Sequence, residues 1–163
     1  MAYKCTRAKP KHLVEVLTLV NEVNDESYGE LDDGSWETNG WRESFVDLLT
    51  QKIEDNTGIV VIVEDGETGE IVSCGICTIL QDVPSPWNVK GQYGFVRSMS
   101  TKLTHRGQGL GTLVIDEIKV WAQEVDLSSL RLNTSDDAES FYERAGFEIF
   151  PYQAMALWFS DKA

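Results

Sequence analysis

The chain has 163 residues, 42% of them hydrophobic, enough for one globular domain, residues 1–163, with a full core. Its 27 acids against 14 bases leave a net charge of −13, which argues against nucleic acid as a partner because duplex binding rests on neutralising phosphates; a field of that sign either draws cationic small molecules or simply keeps the protein soluble. No run of about 18 apolar residues is present and the N-terminus lacks the apolar core of a secretory leader, so the expectation is a soluble, cytoplasmic protein with no membrane partner.

In chain order, residues 2–7 can form a short strand. Pro10 opens a helical pattern carried by Leu13, Val16, Leu17 and Val20. From Glu22 to Trp41 follow seven acids (Glu22, Asp25, Glu26, Glu30, Asp32, Asp33, Glu37) and no base, interleaved with Tyr28, Trp36 and Trp41. Such a stretch suits a cationic amine through charge pairing and cation–π contact, or is a solvated acidic loop with its tryptophans in the core. Phe45, Leu48, Leu49 and Ile53 mark a second helix, ended by Asn56-Thr57-Gly58. Ile59–Glu64 and Ile71–Leu80 read as strands joined through Asp65-Gly66-Glu67-Thr68-Gly69, a hairpin signal. Pro84 and Pro86 place a loop before a strand from Tyr93 to Leu103. A helix with Leu110, Leu113, Val114, Ile118, Trp121 and Val125 on one stripe comes next. Leu130-Arg131-Leu132 is a short strand. Asp136 and Glu139 resemble a capping box opening a helix that stops at Gly146, and Phe147–Phe150 and Gln153–Phe159 supply the last strands. The order β-α-α-β-β-β-α-β-α-β-β describes a mixed α/β architecture with helices packed on one sheet.

Cys74 and Cys77 have a C-x-x-C spacing, which elsewhere marks redox or zinc chemistry. Here they sit in a strand, where side chains three apart point to opposite faces. Two buried structural thiols are expected, and no metal.

The richest segment is Arg106-Gly107-Gln108-Gly109-Leu110-Gly111-Thr112, between a strand and an amphipathic helix. From Val83 to Ile115 there is no acid, while Lys90, Arg97, Lys102 and Arg106 are basic. A glycine turn entering a helix offers unpaired N–H groups and the positive end of the helix dipole, and lets the backbone approach a ligand closely. That combination describes either an anion site, for a phosphate-bearing cofactor, or a plain helix cap. A dinucleotide fingerprint would need glycine where Thr112 stands, and a phosphate-binding loop would need Gly-Lys-Ser/Thr, which is absent.

Arg106 to Gly111 resembles the coenzyme A signature Arg/Gln-x-x-Gly-x-Gly/Ala of the GNAT superfamily of N-acetyltransferases. Leu130–Leu132 followed by Ala138, Phe141, Tyr142, Gly146 and Phe147 is similar to the strand–helix–Phe-Tyr-x-x-x-Gly-Phe ending of the same enzymes. The resemblance implies a central, mostly antiparallel mixed sheet flanked by about four helices, acetyl-CoA as co-substrate, and a homodimer as an admissible assembly. It further implies that the turn from Arg106 and Gly107 onward holds the pyrophosphate through N–H groups of Gln108, Gly109, Gly111 and Thr112, with Arg106 adding charge. The strand Met99–Thr101 would hydrogen-bond the pantetheine arm, the Met99 N–H would polarise the thioester carbonyl, and Tyr142 would lie near the sulfur.

Acetyl transfer needs a neutral amine, a stabilised oxyanion and a proton for the leaving thiolate. A phenol of pKa about 10 can protonate such a thiolate without a large mismatch, so Tyr142 is the candidate general acid; a core tyrosine beside Phe141 is the plainer alternative. The strand before the glycine turn alternates Tyr93, Phe95, Arg97, Met99, Thr101, with Arg97 where many relatives carry an acid. The base must then come from elsewhere, Glu30 and Glu37 being candidates, or act through water. Tyr28, Trp36 and Arg97 are the expected acceptor-binding residues, Arg97 as a partner for an acceptor's carboxylate. The acceptor class is a small-molecule cationic amine, or a lysine or N-terminal amine. A non-catalytic acyl-CoA-binding module is the alternative function.

Overall fold

Runs of β-branched residues build the centre of the sheet. In the computed structural model, which describes residues 2–28, 40–151, 155 and 157, Ile59–Val63 and Ile71–Cys77 are buried without alternation. That is the pattern of strands covered on both faces. By internal packing the chain divides into two units, Met1–Asn133 and Thr134–Ala163.

The first unit holds a five-stranded sheet in the order β1 (Tyr3–Arg7), β2 (Gly58–Asp65), β3 (Ile71–Gln81), β4 (Gln92–Thr101), β5 (Leu130–Arg131). The first four strands are antiparallel neighbours; β5 runs parallel to β4, pairing Leu130 with Gly94 and Arg131 with Phe95. Helices α1 (Leu13–Tyr28) and α2 (Trp41–Glu54) cover one face, where Leu13, Val16, Leu19, Val20, Val23 and Leu49 pack with Val60, Ile62, Cys74 and Ile76. Each such side chain, fully buried, contributes about 2 kcal/mol. Helix α3 (Leu110–Glu124) covers the opposite face with Leu110, Val114, Ile115, Ile118, Trp121 and Ala122. The mixed, mostly antiparallel sheet and the four helices agree with the architecture expected from the residues.

Local differences have physical causes. Pro10 starts a 3₁₀ turn rather than α1 itself, which begins at Leu13. The acids from Glu22 to Glu26 continue α1 instead of opening a loop, because its buried stripe extends to Val23. On α3 the stripe runs through Ile115 and Ala122, and leaves Leu113 44% exposed. Strand β4 stops at Thr101, since Leu103–His105 close a 3₁₀ turn. Cys74 joins the α1–α2 core while Cys77 lies under Gly94, so the two thiols do face opposite sides. Burial pushes both up to about 12.

The second unit contains α4 (Asp136–Arg144). Ser135, not Asp136, is its N-cap, and Ser135 makes no side-chain cap bond, so Asp136 and Glu139 do not form a capping box. They lie inside the first turn with Asp137, where acids complement the helix dipole. Gly146, at φ 92°, ends the helix, and the Phe147 N–H donates to the Tyr142 carbonyl at 3.0 Å. Phe147–Phe150 lies outside regular secondary structure, with Ile149 and Phe150 70% and 64% exposed, so the strand expected there does not form. The strand expected at Gln153–Phe159 falls largely outside the described residues.

Candidate functional site

The glycine turn needs its glycines for conformation. Gly107 and Gly109 have φ of 74° and 79°, left-handed values that cost a residue with a Cβ about 1–2 kcal/mol. A Cβ added at either would meet nothing within 4 Å, so the space beside the turn is open to a ligand. Gly109 is the N-cap of α3, whose first turn contains no acid. Thr112, one of the expected donors, gives its N–H to the Gly109 carbonyl at 3.1 Å. The donors at the helix entrance are then Gln108, Gly109, Leu110 and Gly111, of which Leu110 escaped the sequence reading.

Three contacts fix this turn to the sheet. The Arg106 Nε donates to the Thr101 carbonyl at 3.1 Å, and the Tyr3 hydroxyl donates to Gln108 Oε1 at 2.8 Å. His105 sits edge-on to the Tyr3 ring, with Nε2 3.6 Å from the Asp65 carboxylate. The Glu67 N–H, then Thr68 and His105, hold Asp65 below the usual carboxylate range. On the far side, the Arg7 fork joins β1 to Glu117 and Glu124 of α3 at 2.7–2.9 Å. Helix entrance and strand ends thus form one rigid frame.

Beside the turn, β4 changes character. Between Cys74 and Ile76 the partners on β4 run from Ser100 to Arg97, so β4 carries one extra residue there, and Ser98 has φ 49°. This bulge reverses the alternation. Phe95 and Arg97 pair with Thr78 and Ile76 on the α1–α2 side, whereas a Cβ on Gly75 would lie 2.5 Å from both the Met99 Sδ and Val114 of α3. Met99 and Thr101 therefore do not continue the face of Tyr93, Phe95 and Arg97, as strict alternation had suggested; one inserted residue is invisible to a period of two. Among the described residues, no strand pairs with the outer edge of β4 beyond Phe95. That edge, running from Thr101 toward Arg97, starts at the glycine turn and can receive an extended polar chain by backbone pairing.

The basic island divides in the same way. Lys90 pairs with Asp126, and Lys102 with Glu70 at 2.5 Å and Glu22 at 3.3 Å, the Glu70 bond above all raising the Lys102 ammonium. Among the described residues no carboxylate lies within 4 Å of the Arg97 or Arg106 guanidinium. The Arg97 guanidinium carbon rests 4.5 Å from the centre of the Phe95 ring, and that of Arg131 4.0 Å from the Tyr93 ring. Arg131 was not among the expected site residues; its signal was a base between two leucines in a strand-like run.

Tyr142, in the second unit, is half-buried, its ring edge-on to Phe141 at 4.9 Å and to Phe147 at 5.8 Å. Burial pushes its phenol above the ordinary value, which keeps the proton on oxygen at neutral pH. Tyr28 closes α1, and Trp36, Glu30 and Glu37 lie outside the described residues. No helix among the described residues is long and apolar enough to cross a membrane.

Comparison with known proteins adds four findings. The profile of the acetyltransferase (GNAT) family matches residues 18–147. Glucosamine 6-phosphate N-acetyltransferase 1 of Dictyostelium discoideum is 23% identical over 125 residues, 76% of this chain and 78% of that protein. Among solved structures, a predicted acetyltransferase from Clostridium acetobutylicum crystallised with acetyl-CoA superposes with a TM-score of 0.80 at 18% identity, over 96% of each chain. Glucosamine-6-phosphate N-acetyltransferase from Arabidopsis thaliana gives 0.72 at 18% identity, over 98% of this chain and all of that one.

Proposed function

This chain belongs to the acetyltransferase (GNAT) family, and on that premise we propose that it moves the acetyl group of acetyl-CoA directly to the primary amine of a small acceptor. The observation that carries the reading is the acid-free entrance of α3, with Gly107 and Gly109 held left-handed beside open space and leading to the unpaired edge of β4. Acetyl-CoA supplies the activated acyl carbon. Gln108, Gly109, Leu110 and Gly111 offer N–H groups to its pyrophosphate at the positive end of the helix dipole. Met99 and Thr101 present backbone groups to the amide-bearing arm. The match runs through the boundary after Asn133, which supports treating both units as one functional domain.

In the reaction the amine nitrogen bonds to the thioester carbon, the Met99 N–H faces the negative charge that develops on the carbonyl oxygen, and the carbon–sulfur bond breaks. Tyr142 gives its phenolic proton to the departing sulfur. A proton from the nitrogen goes to a base, for which Glu30 and Glu37 are the candidates, or to water, and the phenolate is reprotonated from solvent. Tyr28 and Trp36 in the acidic stretch would hold the ammonium form before it loses its proton.

Thiol release from acetyl-CoA, followed across a panel of amines that includes polyamines, lysine peptides and glucosamine 6-phosphate, tests the assignment. An amine-dependent rate is expected. Tight acetyl-CoA binding with no acceleration by any amine would instead identify an acyl-CoA-binding module. Tyr142→Phe should lower kcat about a hundredfold with little change in the acetyl-CoA Kd; an unchanged kcat removes Tyr142 from the mechanism.

A further inference from the structure

Gln108 stands between two left-handed glycines, Gly107 at φ 74° and Gly109 at φ 79°. Glycine has more backbone freedom to lose than any other residue, so a turn flanked in this way is costly to order around a ligand unless something outside it fixes its shape. The Gln108 N–H is one of the donors assigned to the pyrophosphate; its side chain has a different task. Gln108 Oε1 accepts from the Tyr3 hydroxyl at 2.8 Å, and Tyr3 opens β1, the edge strand farthest from β5. One phenol thereby ties the middle of the glycine turn to the sheet.

Tyr3 is itself held. Its ring meets the His105 imidazole edge-on, with centroids 6.2 Å apart and planes at 77°, a geometry in which the positive edge of one ring faces the negative face of the other. His105 Nδ1 shares a hydrogen bond with Thr104 Oγ1 at 2.9 Å, and Nε2 lies 3.6 Å from the Asp65 carboxylate. Asp65 is the register partner of Tyr3 on β2 and is buried, its Oδ1 accepting from the Glu67 N–H at 2.8 Å. The arrangement has a direction: the β2–β3 hairpin sets Asp65, Asp65 and Thr104 set His105, His105 sets the Tyr3 ring, and the Tyr3 hydroxyl sets Gln108.

Resting on the acetyl-CoA site proposed above, we infer that Tyr3 is a positioning residue for the pyrophosphate, acting through the Gln108 side chain and kept in place by His105 and Asp65. It holds the turn in its binding shape before the ligand arrives, so less conformational entropy is lost on binding. The effect belongs to donors that carry a diphosphate. It leaves the acyl transfer step alone, because none of these side chains reaches the thioester or the amine.

Tyr3→Phe isolates the hydroxyl, since phenylalanine keeps the ring against His105. It should raise the acetyl-CoA Kd about fivefold by calorimetry, with kcat at saturating acetyl-CoA and the melting temperature unchanged. His105→Ala should give a smaller rise, about twofold. Two further readouts separate positioning from a general loss of structure. With S-acetylpantetheine, a donor without the diphosphate, kcat/KM should be the same for wild type and Tyr3→Phe. In a double-mutant cycle on the acetyl-CoA Kd, Tyr3→Phe should add nothing once Gln108→Ala has removed the acceptor. An unchanged Kd in Tyr3→Phe, additive effects in the cycle, or equal losses with both donors each overturn the positioning role and leave acetyl transfer standing. Where S-acetylpantetheine turns over too slowly to measure, the cycle decides. If the wild-type protein binds no acetyl-CoA, the acetyltransferase reading itself fails, and the role of Tyr3 with it.

Discussion

The two halves of β4 belong to one strand and differ in what they present. From Gln92 to Arg97 the strand is covered by β3 on one edge and, at Gly94 and Phe95, by β5 on the other. From Ser98 to Thr101 no strand among the described residues pairs with the outer edge, and the side chains have exchanged faces across a single extra residue. The first half presents aromatic rings carrying arginines; the second offers backbone. Among the described residues the second edge is open because β5 pairs only with Gly94 and Phe95, while the bulge against β3 turns the side chains beside that edge to the other face. On the proposed function, β4 serves as sheet core in its first half and as receptor for the acetyl-CoA arm in its second.

Alkaline titration should weaken both halves at once, because one thiol lies under each: Cys74, whose Sγ–H points to the Ser98 carbonyl, and Cys77 beneath Gly94. Burial raises each from 9.0 to about 12. The folded state keeps these protons while the unfolded chain loses them, so the stabilisation is complete below pH 9 and disappears as pH rises toward 12. The shift corresponds to about 4 kcal/mol per thiol at the upper limit. Urea unfolding at pH 8, 10 and 11 should show the decline, and Cys77→Ala should make it shallower; equal slopes would mean that Cys77 ionises in the folded state.

Gly75→Ala attacks the second half. Its Cβ would fall 2.5 Å from the Met99 Sδ and from Val114 Cγ1, and although the thioether can swing away, the branched valine cannot. A loss of about 2 kcal/mol is expected by denaturant unfolding, with weaker acetyl-CoA binding. Gly94→Ala should cost similar stability by pressing on Leu130, Cys77 and Leu127, but should shift the acceptor KM more than the acetyl-CoA Kd. If the two alanines give the same functional pattern, the halves are not separate in function.

Gly109→Ala tests the turn that serves the open half. Strain at φ 79° predicts about 1 kcal/mol of lost stability and an acetyl-CoA Kd raised about tenfold by calorimetry. The smallest effect belongs to Ser98→Gly, which relieves the left-handed strain at φ 49° and should gain about 0.5 kcal/mol with the bulge kept. A clear destabilisation would show that the serine side chain helps to hold the bulge.

Much of the scaffold could be read from residue order, since each element carries its own signal. The buried valine and isoleucine runs, the turn at Asp65–Gly69 and the stripe of α3 are local patterns, and the sheet, hairpin and helix formed where they predicted. The glycine turn was equally legible because its conformational demand rests on Gly107 and Gly109 themselves. The capping box at Asp136 failed because Ser135 one residue earlier takes the cap position, and the face assignment of Met99 failed because no residue type announces a bulge at a serine.

Arg106 to Gly111 determined by itself that α3 begins with left-handed glycines and no acid, since steric freedom and charge are properties of those residues alone. Which bases meet an acid was decided only in the tertiary structure. Lys102 meets Glu22 and Glu70 because α1, the β2–β3 hairpin and β4 converge, and Arg131 comes beside Phe95 because a parallel strand returns to the sheet after a whole helix. Ion pairing and face-sharing are relations between distant segments, and the register that creates them is set by packing.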